Sequence, residues 1–205
     1  MTNLLDVKSS GFSGAMIKTI QAMAENALRE NEPRSIQALN WYAYASQFCA
    51  ELEDDFTLGK NVAAGIIAAL SPLQRWDVQI RDTPGIIREL QAGKYPSGVG
   101  FFANKDKAVR IFQGENPFEV LGGDKVRNFY RNLTGDEQAV CIDRHAISIS
   151  GFSSKSADAG KLTSGIYSRI AFAFQCAAQN LGLTPSGIQA LTWCYFREIK
   201  SKRNW

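Results

Sequence analysis

The chain has 205 residues, 45% of them hydrophobic and 21% charged, with a formal net charge of +3, which is the make-up of a folded soluble protein of one compact domain or two small lobes sharing a core. No apolar run approaches the ~18 residues of a membrane helix, so a membrane span is excluded. Residues 1–10 lack a basic start followed by an apolar stretch, so no signal peptide is expected and a cytoplasmic, nucleoid-associated location is.

The periodicity is helical almost throughout. Met16, Ile17, Ile20, Met23, Ala24 and Leu28 recur at three- and four-residue spacing and predict a helix over about 13–30. Pro33 and Ser35 punctuate, and an aromatic, alanine-rich helix is expected to about Glu53. Thr57 is placed to cap the next helix, whose Val62–Leu70 stretch is apolar all round and therefore buried. Ser71-Pro72 ends it. A segment over about 76–92 carries Ile80, Ile86, Ile87 and Leu90, and Pro84 predicts a break inside it. Gly93, Pro96, Gly98 and Gly100 form a loop, followed by helices at about 104–113, 116–121, 124–134 and 143–150. Ala139–Ile142 is the one strand candidate. Residues 151–160, rich in Ser and Gly, read as a linker. Helices over about 162–181 and 184–200 close the chain, the last with Thr184 as cap and Pro185 at its first position. The fold class is all-α.

Cys49, Cys141, Cys176 and Cys194 form no CxxC pair, and His145 is the single histidine. Zinc and iron–sulfur sites need clustered soft ligands, so no metal and no cofactor are expected, and the cysteines read as buried apolar residues. Residues 1–55 hold four basic against eight acidic side chains, a balance of −4, which leaves +7 for the remainder. That remainder includes Lys105, Lys107, Arg110, Lys125, Arg127, Arg131 and a tail with Arg197, Lys200, Lys202 and Arg203. A basic face supplies the sequence-independent part of DNA binding, although a solvated surface has the same composition.

Three local patterns carry chemistry. Gly122-Gly123, between two predicted helices, lets backbone N–H groups approach a phosphate. Lys125 follows on the next turn, with Arg127 beyond it. A lysine amine attacks carbon only when deprotonated, so it needs burial, a neighbouring cation or a base. Asp143 ends the apolar run Ala139–Ile142, eighteen residues after Lys125. It suits both an N-cap of the helix starting at Arg144 and a charge-stabilising carboxylate. His145 reads as structural, and Pro185, Gln189, Trp193 and Arg197 mark a packing face of the last helix.

This ordered set resembles the helix-hairpin-helix DNA glycosylases, and in particular endonuclease III-like members without the iron–sulfur cluster. There a glycine hairpin delivers a lysine, and an apolar segment ending in Val-Asp-Thr-His delivers the catalytic aspartate at the same interval. The sequence departs from the usual Leu-Pro-Gly-x-Gly hairpin, reading Val120-Leu121-Gly122-Gly123. Gly100–Ala108 is similar to the family's glycine, aromatic, Lys-Ala entry to the preceding helix. Leu70-Ser71-Pro72-Leu73-Gln74 is similar to its Leu-Ser-x-Gln segment, whose glutamine fills the gap left by a flipped base. Arg75 or Trp76 is an alternative wedge, because an aromatic can stack where a base has left. The matches span roughly 60–150.

The resemblance implies a two-lobed helical fold with a helix-hairpin-helix element. A barrel lobe would cover 56–135, and 1–55 with 136–205 would form a second lobe, DNA lying in the cleft between them. It implies a monomer acting on double-stranded DNA, flipping a nucleotide and cleaving its N-glycosidic bond. Lys125 and Asp143 would be catalytic, and Lys125 would add AP-lyase chemistry as a Schiff-base nucleophile. Gly122, Gly123, Arg127, Lys107, Gln74, Arg75 and Trp76 would bind DNA. The alternatives are a base-modifying enzyme on the same scaffold, or a non-catalytic DNA-binding module.

Overall fold

The computed structural model describes residues 11–30, 32–98, 100–152 and 162–203. The described residues are helical and contain no strand. The helices are α1 (Gly11–Glu30), α2 (Glu32–Leu39), α3 (Trp41–Asp55), α4 (Val62–Leu70), α5 (Trp76–Gln91) and α6 (Phe102–Phe112). They continue as α7 (Pro117–Val120), α8 (Asp124–Leu133), α9 (Arg144–Ile149), α10 (Ser164–Leu181) and α11 (Pro185–Arg203). The chain divides into an inserted unit, Tyr42–Ala139, and a terminal unit, Met1–Trp41 with Val140–Trp205. Nearly all of α3 therefore groups with the inserted unit.

The terminal unit is built on α1 and α10. Met16, Ile20, Ala24 and Ala27 line one face of α1, and Tyr167, Ile170, Ala173, Phe174, Ala177 and Ala178 line α10. Phe174, Ile20 and Ile170 are fully buried, each such side chain contributing about 1.5–3 kcal/mol. Ile188 and Leu191 of α11 and Ala146, Ile147 and Ile149 of α9 join that core. Thr184 caps α11 as its sequence predicts, its Oγ1 accepting from Gly187 N at 3.1 Å.

The Ala139–Ile142 run is not a strand. Val140 and Ile142 are buried, and the Tyr167 hydroxyl donates to Val140 O (2.8 Å) while accepting from Ile142 N (3.1 Å). One phenol thus satisfies the two backbone groups that a neighbouring strand would otherwise pair.

In the inserted unit α4 is buried from Ala63 to Leu70, as an all-round apolar helix must be. Gly65 lets α6 and α7 come close: a Cβ there would lie 2.9 Å from Ile111 Cγ2 and 3.0 Å from Pro117 Cβ. Thr57 does not cap α4; its φ is 52°, and the N-cap position belongs to Asn61. The side-chain acceptor comes from the end of α3, where Glu53 Oε1 takes the Ala63 N–H at 3.2 Å. A carboxylate there also complements the positive end of the helix dipole.

Two further expectations change. The predicted helix into Glu53 is two helices, α2 and α3, which meet at Asn40, where both the backbone N–H (3.2 Å) and Nδ2 (2.9 Å) donate to Ile36 O. Pro84 does not break α5. Buried Gln79, Thr83, Ile86, Ile87 and Leu90 hold that helix to its unit across the missing N–H. Most of the predicted linker, residues 153–160, lies outside the described residues.

Cys49 on α3 is buried, and burial, reinforced by Glu53, pushes its thiol up to about 12. Almost none of it is thiolate at neutral pH. Iodoacetamide is therefore expected to label half-buried Cys176 well before Cys49 in the native protein, with the two equalising in denaturant, as peptide mass spectrometry would read. Equal native rates would contradict this packing.

Candidate active site

Lys125 and its glycine turn lie in the inserted unit. Asn116 caps α7, its Oδ1 accepting from Phe118 N at 3.0 Å, and Pro117 occupies the first position. Three residues, 121–123, separate the end of α7 from the start of α8. Gly123 has φ 77° and ψ 146°, a backbone state open in practice only to glycine. The turn is a helix–glycine turn–helix element, with Gly122, Gly123 and Lys125 exposed.

Arg127 closes this turn from inside. Its Nε donates to Leu121 O (2.8 Å) and Phe118 O (3.2 Å), and its guanidinium sits 5.3 Å from the Phe118 ring centre. Its role in this geometry is to hold the turn. The Lys107 ammonium lies beside the turn, 3.8 Å from where a Gly122 side chain would begin.

Between α4 and α5, Leu73 has φ 63° and is 83% exposed, although it is a large apolar residue. Gln74 is half-buried, its N–H donating to Ser71 O at 3.0 Å. Arg75 makes two hydrogen bonds to Asp77 (3.0 and 2.9 Å), which hold the Asp77 carboxyl below its ordinary range. Trp76 packs edge-on against Phe48 of α3 at 6.1 Å. Gly100 abuts Leu70, where a Cβ would meet Leu70 Cδ2 at 3.0 Å. The turn carrying Leu73 and the loop carrying Gly100 therefore share the C-terminal end of α4.

All six arginines of the inserted unit have intramolecular partners. Arg75, Arg81, Arg110 and Arg131 pair with Asp77, Asp82, Glu115 and Asp136, Arg88 lies over Phe56, and Arg127 binds carbonyls. Over the full sequence this unit holds 11 basic and 13 acidic residues, against 12 and 7 in the terminal unit. The basic surplus thus belongs to the terminal unit, at +5 against −2.

Asp143 lies in the terminal unit, delivered by the segment that Tyr167 pins. Its Oδ1 accepts from His145 N (2.9 Å) and Ala146 N (2.8 Å), capping α9. Its Oδ2 accepts from Trp193 Nε1 at 3.0 Å. The Arg197 guanidinium stacks on Trp193 at 4.7 Å, and the His145 ring packs against Trp193 (6.0 Å) and Phe196 (5.8 Å). The carboxylate is half-buried, fixed by three N–H donors and set among aromatic rings.

The model of one protein family matches residues 6–200. The chain belongs to DUF7178, a family of unknown function. No curated protein and no solved structure matches it. Among the described residues of this DUF7178 chain, no three His, Cys, Asp or Glu side chains are grouped to hold a metal, and no helix is long and apolar enough to cross a membrane. The sequence missed the bond from Trp193 to Asp143. Its signal was a tryptophan on a half-buried helical face, whose indole N–H needs an acceptor somewhere. The exposed Leu73 was also missed, and its left-handed backbone leaves no trace in the residue type.

Proposed function

We propose that this DUF7178 chain is a DNA base-excision glycosylase of the helix-hairpin-helix kind, a monomer that binds duplex DNA and cleaves the N-glycosidic bond of a displaced nucleotide. The observation that carries the reading is Asp143. A fixed, half-buried carboxylate is a pre-organised negative charge, which is what the developing sugar cation of glycosidic cleavage requires. Of its about four lone-pair sites, three already accept N–H groups. In this reading Asp143 acts through its charge, held in place by those bonds.

Lys125 is the nucleophile in this reading. After its ammonium proton passes to solvent, the Nζ lone pair attacks C1′ as the C1′–N bond breaks, and the departing base takes a proton from solvent. The amino sugar then loses a proton from Nζ, its C1′–O4′ bond breaks with O4′ taking a proton, and the imine forms; loss of a C2′ proton next expels the 3′ phosphate as the C3′–O bond breaks. Support comes from the place of Lys125 on the first turn of α8, directly after a turn that only glycine fits, where a DNA strand can reach it and solvent can take its proton. Leu73 and Gln74 are the residues that would enter the stack at the displaced base, and backbone N–H groups at Gly122-Gly123 with Lys107 would hold phosphate.

One observation favours a second reading, a non-catalytic DNA-binding module. Asp143 as an N-cap and Arg127 as a turn clamp both have complete structural roles. Borohydride trapping on an abasic-site duplex separates the readings. The expected result is a covalent adduct that disappears in Lys125→Ala while duplex binding persists. An adduct that survives Lys125→Ala, or none in a protein that binds the duplex, removes Lys125 as nucleophile.

A further inference from the structure

The loop before α6 presents aromatic rings to solvent in a braced arrangement. Phe102 is 72% exposed, Phe101 58% and Tyr95 47%. Tyr95 stacks on Phe102, with ring centres 5.5 Å apart and planes 28° apart. Exposed phenylalanines are ordinarily left to rotate. Here the loop that carries them is tied down at several points. The Tyr95 hydroxyl donates to Asp106 Oδ1 at 2.9 Å, with Phe102 O at 3.3 Å. Lys105 Nζ donates to Ser97 O at 2.7 Å, and Ser97 N donates to Glu89 Oε2 at 2.8 Å. Gly100 (φ 111°) seats the loop against Leu70, where any larger residue would collide.

The charges around these rings are not symmetric in use. Glu89 and Asp106 are engaged by Ser97 and Tyr95 within the loop. Lys94 is exposed next to Tyr95 in the chain, and the Lys107 ammonium lies 3.8 Å from where a Gly122 side chain would begin. The result is a braced pair of π faces on a segment that carries Lys94, Lys105 and Lys107, three cations against the two carboxylates Glu89 and Asp106. Flat apolar faces beside cations suit a partner with flat π systems joined by anions, namely the bases and phosphates of a single strand. A docked helix would instead need an aliphatic groove of several turns.

We propose that Tyr95, Phe101 and Phe102 form a stacking platform for unpaired bases of single-stranded nucleic acid, with Lys94 and Lys107 holding its phosphates. The assignment stands independently of Lys125 and Asp143, because it needs no bond cleavage. A labelled oligothymidylate followed by fluorescence anisotropy tests it, with the duplex of the same length in parallel. Phe101→Ala/Phe102→Ala is expected to weaken single-strand binding roughly five- to 150-fold for each base lost from a ring. Both rings are exposed, so circular dichroism should be unchanged. Lys94→Ala is expected to reduce the salt dependence of binding without abolishing it. No binding of the oligothymidylate, or equal binding by the double variant, overturns the proposal. So does a change of sedimentation behaviour in the double variant with unaltered oligonucleotide affinity, which would make the patch a protein contact.

Discussion

Asp143→Asn is expected to lower base excision by about 10²- to 10³-fold while leaving duplex binding intact, the loss that follows removal of one pre-organised electrostatic group. The structure lets the chemical and structural parts of that effect be separated. Asparagine is as good an N-cap as aspartate, so the bonds from His145 and Ala146 survive. Its amide nitrogen then faces the Trp193 indole N–H, where two donors meet, at a cost of about 1–2 kcal/mol for a half-buried group. Asp143→Ala loses the cap as well and is expected to cost about 2–4 kcal/mol in urea unfolding. Trp193→Phe keeps the ring under Arg197 but removes the N–H. It should cost about 1 kcal/mol and retain excision, because the carboxylate charge remains. Normal excision by Asp143→Asn would exclude the proposed role and leave Asp143 as the cap of α9.

Gly65 governs the second large effect. Alanine there gains about 1 kcal/mol of helix propensity, but its methyl would lie at 2.9–3.0 Å from Ile111 and Pro117. Ile111 is fully buried and Pro117 is a rigid ring, so neither gives way cheaply. Overpacking therefore outweighs propensity. Gly65→Ala is expected to destabilise by about 1 kcal/mol net, and Gly65→Val by about 3 kcal/mol. Gly85 on α5 is the internal control. A Cβ there meets nothing within 4 Å, so Gly85→Ala should stabilise by about 0.5–1 kcal/mol. Opposite signs at the two glycines in urea unfolding would verify the α4–α6–α7 packing, and like signs would refute it. Because Pro117 opens α7, the same overpacking displaces the turn ahead of Lys125, and adduct yield should fall with stability.

What was legible in the sequence was local. An all-round apolar nonapeptide announces a buried α4, Thr184-Pro185 announces the start of α11, and an aspartate before Arg144 announces an N-cap. Each depends on residues within one turn. The misses share the opposite property. Glu53 caps α4 from ten positions upstream, Tyr167 occupies the backbone of Val140 and Ile142, and Trp193 reaches Asp143 across fifty residues. Such partners are chosen by the fold, and no spacing rule identifies them. The candidate site divides in the same way. Asp143 and Lys125 could be picked by residue type and interval, whereas the intramolecular engagement of Arg75 and Arg127 could not.

The insertion of Tyr42–Ala139 into the terminal unit has a consequence for the nascent chain. The inserted unit has all its residues once Ala139 has left the ribosome, and it can fold while synthesis continues. The terminal unit is different. The apolar stripe of α1, with Met16, Ile20 and Ala24, is made first, but its complement, Ile170 and Phe174, arrives only with α10. Through most of translation that stripe is bare and sticky, a natural client surface for a holding chaperone. Folding of the inserted unit shortens the chain that must be closed when α10 appears, so the later-starting unit prepares the completion of the earlier one.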